Sequence, residues 1–136
     1  MTAYISVSFR KKEVLSKELT AITDALNGFN IQAFVFVDNY AFSPAQEKQM
    51  MQQAMHDIDR CDLLIAETSD KGIGIGIEVG YAKAKNKPVI YVRHNTAEHS
   101  TTVLGISDFQ IVYVDADDLK KQLFGVLKLL SEMKLH

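Results

Sequence analysis

The sequence is short of several features, and each shortage excludes a class of protein. Among 136 residues there is one cysteine, Cys61, so no disulfide can form within the chain and a reducing compartment is expected. No apolar run approaches the roughly 20 residues that a membrane-spanning helix needs. The opening residues have no basic segment followed by a long apolar run, so we predict no signal peptide. We therefore expect a cytoplasmic protein without a membrane segment.

An excess of positive charge is also missing. The formal net charge is −2, and the lysines and arginines are scattered along the chain. Proteins that bind nucleic-acid polymers usually carry a basic stripe that neutralises phosphates, so we expect no such partner. With 47% hydrophobic and 24% charged residues, the composition is typical of one globular domain, here residues 1–136.

Short apolar segments alternate with segments of helical periodicity. The pattern predicts strands at 4–9, 32–37, 62–67, 88–92 and 110–114. It predicts helices at 13–26, 44–61, 101–104 and 116–133, and one that follows a glycine-rich turn and ends near residue 86. The strands LLIA and VIYV are continuously apolar, as in a sheet covered on both faces. We predict a three-layer α/β fold whose five-stranded parallel sheet has the flavodoxin-like, Rossmann-like order 2-1-3-4-5.

Polar side chains follow the predicted strands. Ser8 and Arg10 follow the first strand, Asp38 the second, and Glu67 ends the third. Sheets of this type bind ligands at the carboxyl ends of their strands, so we expect the site at this edge.

The segment 72–80, with the sequence GIGIGIEVG, is the most unusual in the chain. A dinucleotide-binding fingerprint would need glycine at 77 or 79, which are Ile77 and Val79. We expect a turn with left-handed glycines, followed by a helix with Glu78 in its first turn. Two interpretations remain open. Glu78 is either a favourable first-turn glutamate, or a carboxylate that points into a cleft where the glycines leave room for a ligand.

Four segments together resemble the nucleoside 2-deoxyribosyltransferase family. They are DLLIAE at 62–67, the glycine-rich run with EVGYA at 78–82, KPVI at 87–90, and YISVSFR at 4–10. The last of these is similar to the opening of the branch that hydrolyses 2′-deoxynucleoside 5′-monophosphates.

The resemblance implies cleavage of an N-glycosidic bond, by hydrolysis or base transfer, in a nucleoside or its 5′-monophosphate. Glu78 would attack the sugar C1′ and form a covalent glycosyl-enzyme, and Tyr4 would orient it. Water or another base would then release the sugar. The resemblance implies neither a metal nor an organic cofactor.

The resemblance also implies binding residues and a homo-oligomer. Ser8 and Arg10 would contact a 5′-phosphate, for which a hydroxyl and a guanidinium are suited. Ser100 and Thr101 would add phosphate contacts across a dimer interface. The other residues predicted to bind substrate are Ser6, Asp38, Glu67, Gly74 and Gly76.

The sequence departs from the family pattern where an acid is expected. Counting back from Asp62, the family's aspartate position is Ala54, and a second aspartate position is Gly72. Asp38, Asp57, Asp59 and Asp70 are candidates to replace the missing acid, and loss of activity is an open alternative.

Two other interpretations stay open. The opening strand and the EVGYA segment also resemble bacterial TIR domains, of which some cleave NAD and others only assemble. A nucleotide-binding protein without catalysis is the third possibility.

Overall fold

A computed structural model describes residues 1–70 and 72–134, which form one α/β unit. The strands are β1 (Thr2–Ser6), β2 (Gln32–Val35), β3 (Leu63–Glu67), β4 (Val89–His94) and β5 (Phe109–Tyr113). The helices are α1 (Ser16–Asn27), α2 (Phe36–Asn39), α3 (Glu47–Arg60), α4 (Ile73–Ala84), α5 (Thr101–Ile106) and α6 (Ala116–Lys134), with short 3-10 helices at Phe9–Lys11 and Pro44–Gln46. No helix in these described ranges is both long and apolar enough to cross a membrane.

The predicted sheet is confirmed. All neighbouring strands are parallel and their order is β2-β1-β3-β4-β5. The chain starts near the middle of the sheet, adds β2 on one side and then continues on the other. The order therefore reverses between β1 and β3, and the carboxyl ends of these strands flank the crevice where such folds bind ligands.

Each face of the sheet buries its own apolar layer. Helices α1 and α6 cover one face, and helices α3, α4 and α5 cover the other. Because side chains alternate along a strand, Ala3 and Ile5 of β1 face the first layer, while Tyr4 faces the second. Cys61 lies buried in the second layer, where burial raises the pKa of its thiol to about 11, so it behaves as a small hydrophobe.

The glycine-rich segment differs from its prediction. No described glycine has a positive φ, and α4 begins at Ile73, so the segment is helix rather than turn. Glu78 is the sixth residue of α4 and not a first-turn residue. Ile75 and Val79 are buried against the sheet, and this packing outweighs the low helix propensity of the glycines.

The second predicted strand also ends early. Residues 36 and 37 belong to the four-residue helix α2, which turns the chain away from the sheet edge. Phe36 consequently faces the second layer, beside Tyr4, with ring centroids 6.0 Å apart.

Candidate active site

The Glu78 carboxylate receives two hydrogen bonds from β1. The Tyr4 hydroxyl donates to Glu78 Oε2, and Ser6 Oγ donates to Glu78 Oε1 over 3.0 Å. Tyr4 and Ser6 stand two residues apart on the same face of the strand, so both reach the helix α4 that packs above them. The structure therefore brings together the predicted residues Tyr4, Ser6 and Glu78.

Burial and hydrogen bonding shift the pKa of Glu78 in opposite directions. Burial raises the pKa of the carboxyl group, and the bonds from Tyr4 and Ser6 lower it without cancelling the rise. Burial, together with the adjacent Glu78, raises the pKa of Tyr4 far above its ordinary value, so this hydroxyl stays protonated and donates. A carboxylate with a shifted pKa beside a cleft has the electrostatics of a functional group.

A cleft of about 690 Å³ opens in front of Glu78. Phe36, Tyr40 and Phe42 line it, and Phe36 lies 5.0 Å from Tyr40 and 6.2 Å from Phe42 between ring centroids. Met50 and Met51 of α3 also line it, so this part of the helix faces the cleft. The volume and the apolar lining are those of a small-molecule site.

The aromatic residues of this cleft were not predicted as site residues. Phe36 lies in α2, where the sequence predicts the end of a strand, and Tyr40 and Phe42 lie in the loop that follows. The available signal was their density, since Phe36, Tyr40 and Phe42 occur within seven residues.

Two predicted substrate-binding residues, Ser8 and Arg10, line the cleft and contact Asp70, one of the candidates for the missing acid. Ser8 Oγ donates a 2.6 Å hydrogen bond to Asp70 Oδ2, and Arg10 Nη2 lies 3.2 Å from the same oxygen. Gly74 also lines the cleft, and a Cβ added at this position would meet no atom within 4 Å. A side chain here would therefore project into the space in front of Glu78.

The prediction that Glu67 binds substrate does not agree with the structure. Glu67 is 1% exposed and points to the opposite face of the sheet from Glu78. Tyr113 Oη donates to Glu67 Oε2 over 2.6 Å, and the Ser69 backbone N–H donates to Oε1. Because side chains alternate along β3, Leu64 and Ala66 face the second apolar layer and Glu67 faces the other side of the sheet.

Asp38, Gly76, Ser100 and Thr101 are also absent from the cleft lining. Asp38 forms an ion pair with Lys12 and borders a groove beside α1. Gly76 and Ser100 line a second hollow of about 300 Å³, separated from the cleft by Gly72 and Ile75. Thr101 is exposed at the start of α5 and lines neither cavity.

The missing acid is not replaced within the cleft lining. Ala54 lines the cleft, where the family pattern has its aspartate. One turn later, Asp57 is 6% exposed and lies behind the lining, with Oδ1 accepting a 3.0 Å bond from Gln53 Nε2. The same Gln53 amide group donates to Tyr40 Oη over 3.1 Å. Asp59 instead accepts from Tyr81 at the outer surface.

Comparison of the sequence with known proteins identifies the family of the chain. A family model described as nucleoside 2-deoxyribosyltransferase matches residues 6–127. The chain belongs to the nucleoside 2-deoxyribosyltransferase family. The match includes Glu78, Ser6 and the residues of the cleft, and it confirms the resemblance deduced from the motifs.

Individual members of the family are similar to the chain to different extents. A Syntrophotalea carbinolica protein named for 2′-deoxynucleoside 5′-phosphate N-hydrolase activity is 37% identical over 73 residues, or 54% of this chain. The chain spans about half the length of this curated relative, 51%.

Solved structures of the family share the fold. A Clostridium botulinum CMP N-glycosidase superposes with a TM-score of 0.66 at 21% identity, covering 90% of this chain and 97% of that one. A 2-deoxyribosyltransferase from Bacillus psychrosaccharolyticus gives 0.65 at 20% identity, with coverages of 88% and 90%. These likenesses show that the chain has the fold of both enzymes.

In the described ranges 1–70 and 72–134, no three His, Cys, Asp or Glu side chains are grouped as metal ligands would be.

Proposed function

We propose that the chain cleaves the N-glycosidic bond of a nucleoside or nucleoside 5′-monophosphate, with Glu78 as the nucleophile. One observation carries the proposal: a carboxylate held by Tyr4 and Ser6 opens onto a cleft of about 690 Å³. The family supports the reaction class, and the volume is sufficient for a ligand of nucleoside size.

The reaction has two steps. A Glu78 oxygen attacks C1′ of the sugar, a C–O bond forms, and the C1′–N bond breaks with its electron pair leaving on the base. In the second step water, or the nitrogen of another base, attacks C1′ and releases the Glu78 carboxylate. The incoming group loses a proton, so hydrolysis yields the free sugar and transfer yields a new nucleoside.

Tyr4 and Ser6 prepare the nucleophile. Their hydrogen bonds engage both carboxylate oxygens, which fixes the rotation of the carboxylate plane and favours the ionised form. Since Tyr4 is fully buried and packs against Phe34 and Phe36, its hydroxyl is held rigidly. The two residues act as positioning residues for Glu78.

The apolar wall accounts for binding of the base. The faces of Phe36, Tyr40 and Phe42 offer stacking surface to a planar heterocycle. With Ala54 in place of an acid, the departing base takes its proton from water in the open cleft, and we expect a slow first step.

Release of free base tests the proposal. The protein is incubated with deoxynucleosides, ribonucleosides, their 5′-monophosphates and NAD, and products are separated by chromatography. We expect base release from the nucleosides or monophosphates, reduced at least about a thousandfold in Glu78→Gln, which keeps the size of the side chain but removes the nucleophile. Adding a second free base separates transfer, which makes a new nucleoside, from hydrolysis.

The matched control is Glu132→Gln, an exposed glutamate of α6 on the opposite side of the sheet, which should retain full activity. Nicotinamide release from NAD alone would favour a TIR-like activity instead. Binding without any turnover would leave a nucleotide-binding protein and contradict the catalytic proposal.

A further inference from the structure

Tyr40 brings an acidic hydroxyl group into the aromatic wall of the cleft. Its ring centroid lies 5.0 Å from that of Phe36 and 5.6 Å from that of Phe42. The rings of Phe36 and Phe42 are nearly parallel, at 18°, whereas Tyr40 is tilted by 49° to the first and by 33° to the second. A flat base stacked on either phenylalanine is therefore inclined to the Tyr40 ring, and it meets the phenol at its edge rather than at its face.

Gln53 of α3 fixes the hydroxyl group of Tyr40. The Gln53 amide nitrogen carries two N–H groups, and it donates to Tyr40 Oη over 3.1 Å and to Asp57 Oδ1 over 3.0 Å. Gln53 and Asp57 are one turn apart on α3, so the helix sets the spacing of these contacts. Since Tyr40 Oη accepts the bond from Gln53, its own proton can be given to another acceptor.

Asp57 is a buried carboxylate with one unsatisfied oxygen. It is 6% exposed, and its Oδ2 has no hydrogen-bond partner within residues 1–70 and 72–134. An unpaired buried acceptor is costly, so it calls for a functional explanation. Partial burial, and after it the Asp57 carboxylate, raise the pKa of Tyr40 above its ordinary value. Tyr40 is therefore protonated at neutral pH, and a phenolate formed beside Asp57 would regain a proton.

Ala54 explains why the carboxylate of Asp57 needs an intermediary. Ala54 lines the cleft one turn before Asp57, and its side chain ends at Cβ, so no acid projects from α3 at this point of the cleft. Asp57 lies behind the lining, and the hydrogen bonds of Gln53 connect it to Tyr40, which is part of the lining. The short side chain of Ala54 leaves room for a water molecule between Tyr40 and a bound base.

Tyr40 is the best placed proton donor among the described residues that line the cleft. Arg10 does not give up its proton at ordinary pH and pairs with Asp70. Lys12 pairs with Asp38, which holds its charge. The Tyr40 phenol carries no charge that an ion pair holds in place, so it can lose a proton and recover it.

Building on the proposed function, we propose that Tyr40 supplies the proton for the departing base through one water molecule. In the first step the C1′–N electron pair moves to the base, the base takes a proton from cleft water, and Tyr40 Oη gives its own proton to that water. In the second step the water or base that attacks C1′ loses a proton, which returns to the Tyr40 phenolate, and the Glu78 carboxylate is released. Gln53 and Asp57 are positioning residues for Tyr40.

The test compares two leaving groups on the same sugar. One is the base of a nucleoside or monophosphate, and the other is 4-nitrophenol, which leaves as a stable anion and needs no proton. Tyr40→Phe keeps the ring but removes the hydroxyl group, so it should lower kcat/KM by on the order of a hundredfold for the base and by less than about threefold for the 4-nitrophenyl glycoside. Tyr81→Phe, the same change at the outer surface of α4, should leave both values unchanged.

A variant of Gln53 tests the positioning role. Gln53→Met keeps the length of the side chain but removes both hydrogen bonds, so it should lower kcat/KM by about tenfold for the base and leave the 4-nitrophenyl glycoside unaffected. Added to Tyr40→Phe, the same change should cause no further loss, because Gln53 then has no hydroxyl group to hold. Gln49→Met, at an exposed position of α3, is the matched control.

The outcomes separate this inference from the proposed function. Equal losses for both leaving groups in Tyr40→Phe would mean that Tyr40 only shapes the cleft, and an unchanged rate of base release would mean that the proton comes from another group. Either result overturns the inference, while base release that depends on Glu78 leaves the proposed function intact. A wild-type protein that releases only 4-nitrophenol delivers no proton, which also overturns the inference. Release of neither leaving group would contradict the inference and the proposed function together.

Discussion

At the scale of single residues, two opposed effects determine the pKa of Glu78, the proposed nucleophile. Burial raises the pKa of the carboxyl group above its ordinary 4.5, while the hydrogen bonds from Tyr4 and Ser6 lower it. Complete desolvation would leave the acid protonated and unreactive, and full solvation would stabilise the carboxylate at the expense of its nucleophilicity. The two donors keep the group between these limits.

The Ser6 hydrogen bond should be visible in the pH dependence of the reaction. In the proposed reaction, activity is lost as the pH falls through the pKa of Glu78, so the acid limb of kcat/KM should lie above pH 4.5. Ser6→Ala removes a donor that favours the anion, and we expect this limb to move to higher pH by about one unit. The profile is measured between pH 4 and 8, with Ser131→Ala of α6 as the control.

An acid limb that stays in place, or moves to lower pH, would show that Ser6 does not stabilise the carboxylate. Unchanged circular dichroism and thermal unfolding across the pH range would establish that the limb reports ionisation and not loss of fold.

Residue positions were predictable where they depend on strand parity and motif, and not where they depend on a loop. The family resemblance predicted that Tyr4 orients Glu78, and the structure has the two side chains hydrogen-bonded. The contact of Ser6 with Glu78 was not predicted, although strand parity puts Ser6 on the same face of β1 as Tyr4. The contact of Ser8 with Asp70 joins residues 62 apart, so it depends on the conformation of the loop after β3. The sequence predicts Asp70 only as a candidate for the missing acid and does not predict this contact.

At the scale of elements, the glycines of α4 are explained by space and not by backbone geometry. None of them has a positive φ, so left-handed conformation is not the reason for their presence. Periodicity could not reveal that this segment is helical, because alternating glycine and isoleucine also fits a turn or a strand. The packing of Ile75 and Val79 on the sheet stabilises the helix, and packing partners cannot be identified from a single sequence.

Two glycine variants separate stability from ligand access. A Cβ at Gly80 meets no atom within 4 Å and lies outside the cleft lining, so Gly80→Ala should raise the free energy of unfolding by about 0.5–1 kcal/mol with unchanged kcat/KM. A Cβ at Gly74 also meets no protein atom but enters the cleft, so Gly74→Ala should fold normally and lower kcat/KM by about tenfold or more. Urea unfolding and steady-state kinetics check both variants, and equal activity would contradict a role for Gly74 in ligand access.

At the scale of the whole molecule, the sheet separates two similar pairs of side chains. On one face Tyr4 donates to Glu78, and on the other Tyr113 donates to Glu67. Glu78 opens onto the cleft, whereas Glu67 is 1% exposed and bonded to its own loop through Ser69. The Tyr–Glu pair that faces the cleft is therefore accessible to a ligand. The pair on the other face of the sheet is buried and has a structural role.

The raised pKa of Glu67 predicts how the free energy of unfolding changes with pH. Burial raises the pKa of Glu67 above 4.5, although hydrogen bonds from Tyr113 and Ser69 oppose the shift. A carboxyl group whose pKa is higher in the folded state stabilises the fold most below its unfolded pKa, and this contribution is lost as the pH rises through the folded value. Glu67→Gln cannot ionise, so the difference in unfolding free energy, Glu67→Gln minus wild type, should increase as the pH rises above about 4.5.

Urea unfolding at intervals from pH 4 to 8 measures this difference. Glu78 titrates in both proteins, so its contribution cancels when the two curves are subtracted, and Glu132→Gln supplies the control for an exposed glutamate. A difference that stays constant or decreases with pH would mean that Glu67 does not bear an ionisation cost in the folded protein. The Tyr113 and Ser69 bonds would then compensate fully for its burial, and the carboxylate would remain charged behind the loop that carries Asp70.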